Sequence, residues 1–499
     1  ITTDVASAPF LWIVPLTLYL LTYILVFRDP PKPSMSLLLK LQPICVGAAL
    51  ISLLGSGVLV WVVGAVAGVG AFFTTAMICH RTLYERRPDV AHLTEFYLWM
   101  SFGGVLGGIF TALLAPVLFS QVVEYPLLMI MGLICRKDAL NSPMVKSIIA
   151  RPLMALSVGI AAFAFSQLIG TFTTSAGSEL SRALAVAIVM TLASGAWFGG
   201  RQLMAGICTC LAGLLLLPSD STSEHVERSF FGVHRILDDE NSGYRLLSHG
   251  TTIHGAQKLN ELGADTVRPT PVTYYNDNGP MAQMAMLARR NLVSGQKLTG
   301  GVVGLGAGSF ACHQQAGESW RFYEIDPVVV KLAKSPEHYS FMSKCNPDAE
   351  VVIGDARLTV SQEPAGKFDY LLIDAFSSDT VPVHLMTVEA VTEFLSRVSD
   401  NGLLVMHISN RYLDLAPVLE AAVAQIGGTV SGAMIRDKTR IGNFERAPSM
   451  VVAISKSSAS LENIGKWDEV HRFGPAKVKP WTDDYSNIVT AIFRKIGKD

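Results

Sequence analysis

The sequence predicts a chain of two unlike parts. Residues 1–217 read as a polytopic α-helical membrane domain, and an α/β doubly wound domain follows, with a small hairpin sheet at its front. Three observations carry this. Half of the 499 residues are hydrophobic and 16% are charged, so the mean hydropathy of +0.37 is high for a soluble protein. The charges are uneven, with 12 Lys and Arg and 8 Asp and Glu in residues 1–217, and 28 and 33 in the rest. From residue 301 onward, short β-branched runs alternate with helical stretches, the pattern of a parallel sheet with helical crossovers.

Spans of about 20 apolar residues meet the transmembrane criterion. They occur at 8–27, 37–54, 57–79, 95–120, 149–170, 182–199 and 202–217. Residues 122–135 are apolar but short, with Glu124 and Pro126 near their start, so the count is seven or eight. Basic residues fall in 28–40, 81–87 and 136–151, and neither count places all three loops on the face that carries the second domain. Gly103, Gly104, Gly107 and Gly108 predict a groove for a neighbouring helix. Glu95 and Glu124 are costly at membrane depth and fit the headgroup level or a polar cavity. The seven cysteines show no metal spacing and read as free thiols, which fits a reducing compartment for the soluble part. No basic run suggests nucleic acid. The first residue is Ile1, which suggests a piece of a longer product.

Residues 218–225 are a polar linker. Residues 226–278 alternate apolar and polar positions with Gly and Asn-Ser-Gly punctuation, a small antiparallel hairpin domain. The α/β domain spans 279–499. A helix at 279–293 precedes strands at 301–305, 320–325, 350–353, 368–374 and 402–408. Helices at 327–334, 386–397 and 413–426 lie between them, and 429–436 with 449–455 read as an edge hairpin. The first strand breaks into Gly304, Gly306 and Gly308, and Phe310–Gln315 reads as the start of a helix. A glycine turn there lets a ligand approach the backbone. Glu324 and Asp326 end the second strand, where a carboxylate can accept both hydroxyls of a ribose diol. The third strand ends in Gly354-Asp355-Ala356-Arg357, the fourth in Asp374-Ala375-Phe376-Ser377-Ser378-Asp379, and the fifth in His407-Ile408-Ser409-Asn410-Arg411. Polar chemistry at successive strand tips is stronger evidence of a site than the glycines alone.

The order GLGAGS, EID, GDAR and IDAFSSD resembles the Rossmann-like, methyltransferase-type fold of the spermidine synthases. With PFLWIVPLTLYLLTYILVF and TEFYLWMSFGGVLGG in front, the arrangement resembles the bacterial membrane-fused, spermidine synthase-like proteins. The resemblance implies that Gly304, Gly306 and Gly308 lie under the methionyl part of a sulfonium nucleoside. Glu324 would hold the ribose, Ile325 the adenine face, Asp355 the adenine amino group, and Ala356 would supply a backbone donor. Gln257 would touch the nucleoside. Asp374 would face the reacting amine and Tyr275, in Tyr275-Asn276-Asp277, would orient it. A free alkylamine of pKa near 10 is neutral to only about one part in 10³ at pH 7, so a carboxylate that takes its proton has work to do.

The implied cofactor is S-adenosylmethionine or its decarboxylated form, with no metal. The acceptor would be a small amine or a lipophilic molecule. The location would be the bacterial inner membrane with the soluble domain in the cytoplasm, and a homo-oligomer is compatible with the sequence. The chain departs from the family at Ala307, where an acid usually holds the cofactor's ammonium, and by two residues inserted between Asp374 and Asp379. Besides aminopropyl transfer, the sequence leaves open methyl transfer, elimination within S-adenosylmethionine, and a nucleoside-sensing transporter. His249 and His254 either line the cleft or serve a turn, and Asp483-Asp484 reads as a capping turn.

Overall fold

The computed structural model describes residues 13–52, 58–122, 124–134, 136, 223–250, 252–263, 268–376 and 382–496. The chain divides into two compact units, one of residues 10–221 and one that runs from 222 to 499.

In the first unit, helices Ile13–Val26, Met35–Ser52, Val58–Glu85 and Glu124–Ile134 are apolar along their length. Val46, Ala49, Ala71, Met129 and Leu133 form one buried cluster, and Val26, Leu38, Met77 and Ile78 another. Polar side chains tie the helices together. Thr22 meets His80 at 2.7 Å, and the Gln42 amide donates to Thr75 at 2.9 Å and to the Gly132 carbonyl at 3.3 Å. Such bonds hold helices together where packing alone gives little preference.

Two helices among the described residues, Val63–Glu85 and Val90–Leu118, are long and apolar enough to cross a membrane. The expected spans 149–170, 182–199 and 202–217 lie outside the described residues, so seven or eight spans are not reached. Residues 124–134 make a helix of 11 residues, about 16 Å by its rise, which is short of a crossing. The four glycines at 103–108 have open space where a Cβ would stand, so the expected close helix contact is not made among the described residues.

The second unit opens with a four-stranded antiparallel meander, β1 (Ser223–Ser229), β2 (Gly232–Asp239), β3 (Tyr244–His249) and β4 (Thr252–Lys258). An eight-stranded sheet follows. Its strands are β5 (Thr299–Val303), β6 (Ser319–Glu324), β7 (Glu350–Ile353), β8 (Phe368–Ile373), β9 (Val398–His407), β10 (Ser431–Asp437), β11 (Ser449–Ser455) and β12 (Glu469–Arg472). They lie in the order β12-β10-β11-β9-β8-β5-β6-β7, with β5 to β9 parallel and the rest antiparallel. The pair β10–β11 forms as expected, but β12 adds to β10 and takes the edge. Its four residues, EVHR, are too few and too polar to stand out as a strand.

Strand β8, FDYLLI, is buried along its whole length, which requires cover on both faces. Leu371 and Ile373 pack with Val391, Phe394 and Leu419 from helices Val388–Arg397 and Ala416–Ile426. Tyr370 and Leu372 pack on the other face with Met284 and Leu287 from helix Pro280–Asn291. Burial of each large side chain contributes about 1.5–3 kcal/mol before entropy, so this two-sided core fixes where the strand tips end.

Two expectations are corrected around residue 310. The helix after the glycines is only a 3₁₀ turn, Ser309–His313, because Gly317 (φ +82°) reverses the chain before an α-helix can nucleate. Cys312 in that turn is not a free thiol. It is bonded to Cys345 at the end of helix Phe341–Cys345, with 4.8 Å between Cα atoms. The sequence hides this because the folding of helix Pro327–Lys334 brings together residues 33 apart. Cys45 and Cys79 are free, and Cys135, Cys208 and Cys210 lie outside the described residues.

Candidate active site

The sheet reverses its order of growth between β5 and β8, and a crevice opens at their carboxyl ends, where α/β sheets bind ligands. A cavity of about 380 Å³ lies there, roofed by the β1–β4 meander. Its walls include the glycine turn, Glu324, Asp355, Asp374 and five histidines, three of them on the meander.

The glycine turn is wedged between two carbonyls. Gly304 has φ +91°, and a Cβ there would stand 2.1 Å from the Asp374 carbonyl oxygen. Gly306 has φ +53°, and its Cβ would stand 2.3 Å from the His254 carbonyl oxygen. Side chains at either position would push the turn off the strand tips. Gly308 is different. It does not line the cavity; it caps the 3₁₀ turn in the left-handed region, packed against Met342.

Asp374 is buried at the tip of β8 and sits in a chain of hydrogen bonds. The Tyr275 hydroxyl donates to Oδ2 at 2.5 Å, and His407 Nδ1 lies 2.6 Å from Oδ1. His407 Nε2 meets the Ser409 hydroxyl at 2.7 Å, and the Met450 N–H donates to that oxygen. The tautomer that satisfies every partner has Nδ1 donating to Asp374 and Nε2 accepting from Ser409. Each carboxylate oxygen keeps a second lone pair. Tyr274 packs on both Tyr275 and His407, with Phe376 across the ring of His407, so aromatic faces surround the carboxylate. That combination suits a cation. Burial and the negative Asp374 hold the Tyr275 phenol far above its ordinary value, so it stays a donor.

Backbone strain aims these tyrosines. Thr273, a β-branched residue, has φ +59°, an unfavourable conformation for its type. Its carbonyl accepts from the Asn276 amide at 2.8 Å and its N–H donates to Phe444 at 2.7 Å, which hold it there. His313 donates from Nε2 to the Tyr275 carbonyl at 2.7 Å. The triplet Tyr275-Asn276-Asp277 therefore contributes one side chain to the cavity wall and one to the turn that presents it.

Glu324 accepts from the Leu305 N–H at 2.9 Å and from the Asp326 N–H at 3.0 Å, one bond to each oxygen. Burial raises its pKa, and the two backbone bonds only partly oppose this. Ile325 is 43% exposed at the rim. Asp355 caps helix Ala356–Val360 through the Leu358 N–H at 3.1 Å, and its other oxygen lies 3.2 Å from His384 Nε2. Ala356 opens that helix at the cavity wall. Next to it, Arg357 makes two 2.7 Å bonds to Asp483, which also accepts from Thr387. The TDDY segment is thus a clamp on the third strand tip, more than the capping turn its sequence suggested.

The roof supplies the histidines. His249 and His254 do line the cavity, joined by His234. Ring centroids are 4.9 Å apart for His234 and His249, and 5.6 Å for His249 and His254. His234 Nε2 lies 2.8 Å from Asp326, which also accepts from Ser229 and the Val328 N–H. Burial pushes the Asp326 pKa up, but these bonds outweigh it and hold the carboxyl below its ordinary range.

Gln257 is corrected: it does not line the cavity. It is fully buried, its amide donates to Glu261 and Ser340, and its carbonyl accepts from the Ser340 N–H at 2.9 Å. Its side chain is spent on Glu261 and on Ser340, the residue before helix Phe341–Cys345, which leaves it no part in the cavity wall. Ala307 is also fully buried, against Gly255 and beside Ile236 and Leu247, so its side chain does not reach the cavity. Asp379, the second acid of the DSSD-like motif, lies outside the described residues. Sequence reading assigned no role to Tyr274, His234, His407 or Ser409. The last two stand at a strand tip already noted as polar, and that placement was the available signal.

No family model matches the chain. A polyamine aminopropyltransferase of Vibrio vulnificus (strain CMCP6) is 36% identical over 109 residues, 21% of this chain and 35% of that protein, so the match spans about a third of the relative's length. Among solved structures, a probable spermidine synthase from Corynebacterium glutamicum matches 53% of this chain and 97% of its own, at 13% identity and a TM-score of 0.39. The spermidine synthase of Thermotoga maritima matches 56% and 88%, at 12% identity and a TM-score of 0.35.

Proposed function

We propose that this chain is a transferase of the spermidine synthase type, which moves an alkyl group from a sulfonium nucleoside to an amine. One observation carries the reading: Asp374, buried between Tyr275 and His407, heads a cavity whose other end is a glycine turn with Glu324 beside it. The relative from Vibrio vulnificus supports the same class. S-adenosylmethionine or its decarboxylated form supplies a carbon activated by its bond to a cationic sulfur. Glu324 holds the ribose hydroxyls with its two free lone-pair sites, and Gly304 and Gly306 let the tail lie on the backbone. Ile325 covers the adenine at the rim, while Asp355 and the Ala356 N–H meet its edge. Asp374 aligns the acceptor amine and takes its proton, and Tyr275 and His407 fix the direction of the carboxylate. Orientation and proton removal together account for large rate factors without a metal ligand.

We further propose that the first unit anchors the chain in the bacterial inner membrane, with the soluble domain on the cytoplasmic side. Helix Val90–Leu118 supports the membrane reading, since Leu98, Trp99, Leu113 and Val117 are each at least 60% exposed on it. Water penalises such a surface and lipid does not. Extraction of membranes at alkaline pH tests this: the protein stays with the lipid, and release into the supernatant removes the membrane assignment.

Incubation of the purified chain with each sulfonium nucleoside, with and without putrescine, tests the chemistry. Methylthioadenosine formed only when the amine is present supports alkyl transfer. Its formation without an acceptor indicates elimination, S-adenosylhomocysteine indicates methyl transfer, and tight binding without turnover leaves a sensor.

A further inference from the structure

We propose that the histidine wall, with His254 at its cavity end, receives a carboxylate on the tail of the nucleoside, so the chain selects S-adenosylmethionine over its decarboxylated form. This rests on the reading of the cavity as a sulfonium nucleoside site, and the experiment below tests the two apart.

The argument starts from the charges that surround the cavity. Glu324, Asp326, Asp355 and Asp374 all line it, which suits a cation but opposes an incoming anion. The roof is the exception. His234, His249 and His254 stand in a row there, and Asp326, the acid next to them, already accepts three hydrogen bonds. His254 lines the cavity beside the glycine turn. Its carbonyl meets Gly306, and Gly306 in turn lies within 3.6 Å of the Tyr275 hydroxyl, counted from its added Cβ. The Nε2 of His254 is buried and makes no hydrogen bond among the described residues. A buried imidazole nitrogen without a partner costs free energy that a ligand can recover.

The opposite device is missing. Position 307 carries no carboxylate, and its side chain is closed off against Gly255. Nothing on the turn therefore repels an anion, and the wall offers it the unpartnered Nε2 of His254.

His254 faces His249 and His234 from the meander, Tyr274 and Tyr275 from the turn before helix Pro280–Asn291, and Asp374 from β8. Burial and the two histidines lower its pKa to about 3, against a small opposing pull from Asp374, so the ring is neutral at pH 7. An adjacent carboxylate favours the charged ring, so it would draw a proton in from solvent.

Calorimetry on the full chain in detergent tests this at pH 7, with S-adenosylmethionine, decarboxylated S-adenosylmethionine and methylthioadenosine, each in two buffers of different ionisation enthalpy. S-adenosylmethionine should bind at least about tenfold more tightly than the decarboxylated form, the scale of one charge-assisted hydrogen bond. Its binding should take up a proton. His254→Gln should abolish that uptake and weaken S-adenosylmethionine by about 10- to 100-fold, while methylthioadenosine, which lacks the tail, changes by less than about threefold and reports an intact fold. Equal or tighter binding of the decarboxylated form by the unaltered chain overturns the proposal and leaves the nucleoside site standing. Failure of all three to bind overturns both.

Discussion

The two walls of the cavity are built on opposite principles. The sheet wall presents carboxylates at strand tips, each fixed by backbone N–H groups or by a neighbour's side chain: Glu324 by Leu305 and Asp326, Asp374 by Tyr275 and His407. The roof presents imidazoles, and at least one of their nitrogens is unfilled among the described residues. In the proposed reading, the finished wall holds what every reaction of this class shares, the nucleoside and the amine. An unfinished one is where a family member can set its own preference. The difference teaches that a preference can be set on the roof without rebuilding the strand tips, although the meander also packs on the α/β part through Leu247, Arg245 and Gln257.

Substitutions on the sheet wall should have the largest effects. Asp374→Asn keeps the shape but not the proton acceptor, and turnover should fall by about 10²–10⁴-fold with nucleoside affinity nearly unchanged. Equal loss of both in a kinetic and binding series would assign Asp374 to binding instead. Tyr275→Phe removes one donor to Asp374 and should lower kcat by about tenfold, with a smaller change in KM. An unchanged kcat would show that His407 alone positions the carboxylate.

Glu324 links the wall to pH. Burial raises its pKa, so as pH falls the carboxylate is protonated earlier than an ordinary glutamate and loses its hold on the diol. Nucleoside affinity should therefore drop on acidification from above the usual glutamate range, and Glu324→Gln should bind more weakly at neutral pH with that dependence flattened. Without ligand the sign reverses. A raised native pKa means the charged form costs stability above the unfolded value, so the free protein gains from this group as pH falls. An affinity profile independent of pH between 5 and 8 would remove Glu324 from the ribose.

Gln257 sharpens the contrast from outside the cavity. Gln257→Ala leaves the Ser340 N–H without its partner and should cost about 1–3 kcal/mol in stability, read as a lower unfolding midpoint, with KM for the nucleoside unchanged. A raised KM would return Gln257 to the ligand.

The legible parts of the chain were those set by local pattern. Strand β7 and helix Pro327–Lys334 fall where their sequences put them, since Asp326-Pro327 is a helix start that needs no tertiary context. The tips of β5, β6, β7 and β8 followed, because strand ends in a parallel sheet share one edge. What stayed hidden depends on pairs far apart in the chain. The bridge of Cys312 to Cys345 and the grip of Asp483 on Arg357 have no local signature. His234 looked like one polar residue in an alternating strand, and only the pairing of β2 with β3, which sets it opposite His249, makes it part of a row. Gln257 failed for the opposite reason: a family pattern placed it, while its bonds to Glu261 and Ser340 keep it in the packing under the meander.

The grip on Arg357 has a temporal consequence. The third strand tip of the crevice is stitched from a turn at 354–357 and a segment made more than a hundred residues later, which also supplies the Trp481 carbonyl to Val388 and the Ala491 carbonyl to Asp414. During synthesis that tip stays unlatched until residues 481–491 have left the ribosome, so a nascent chain can set Asp374 at the end of its strand before it can close the third tip.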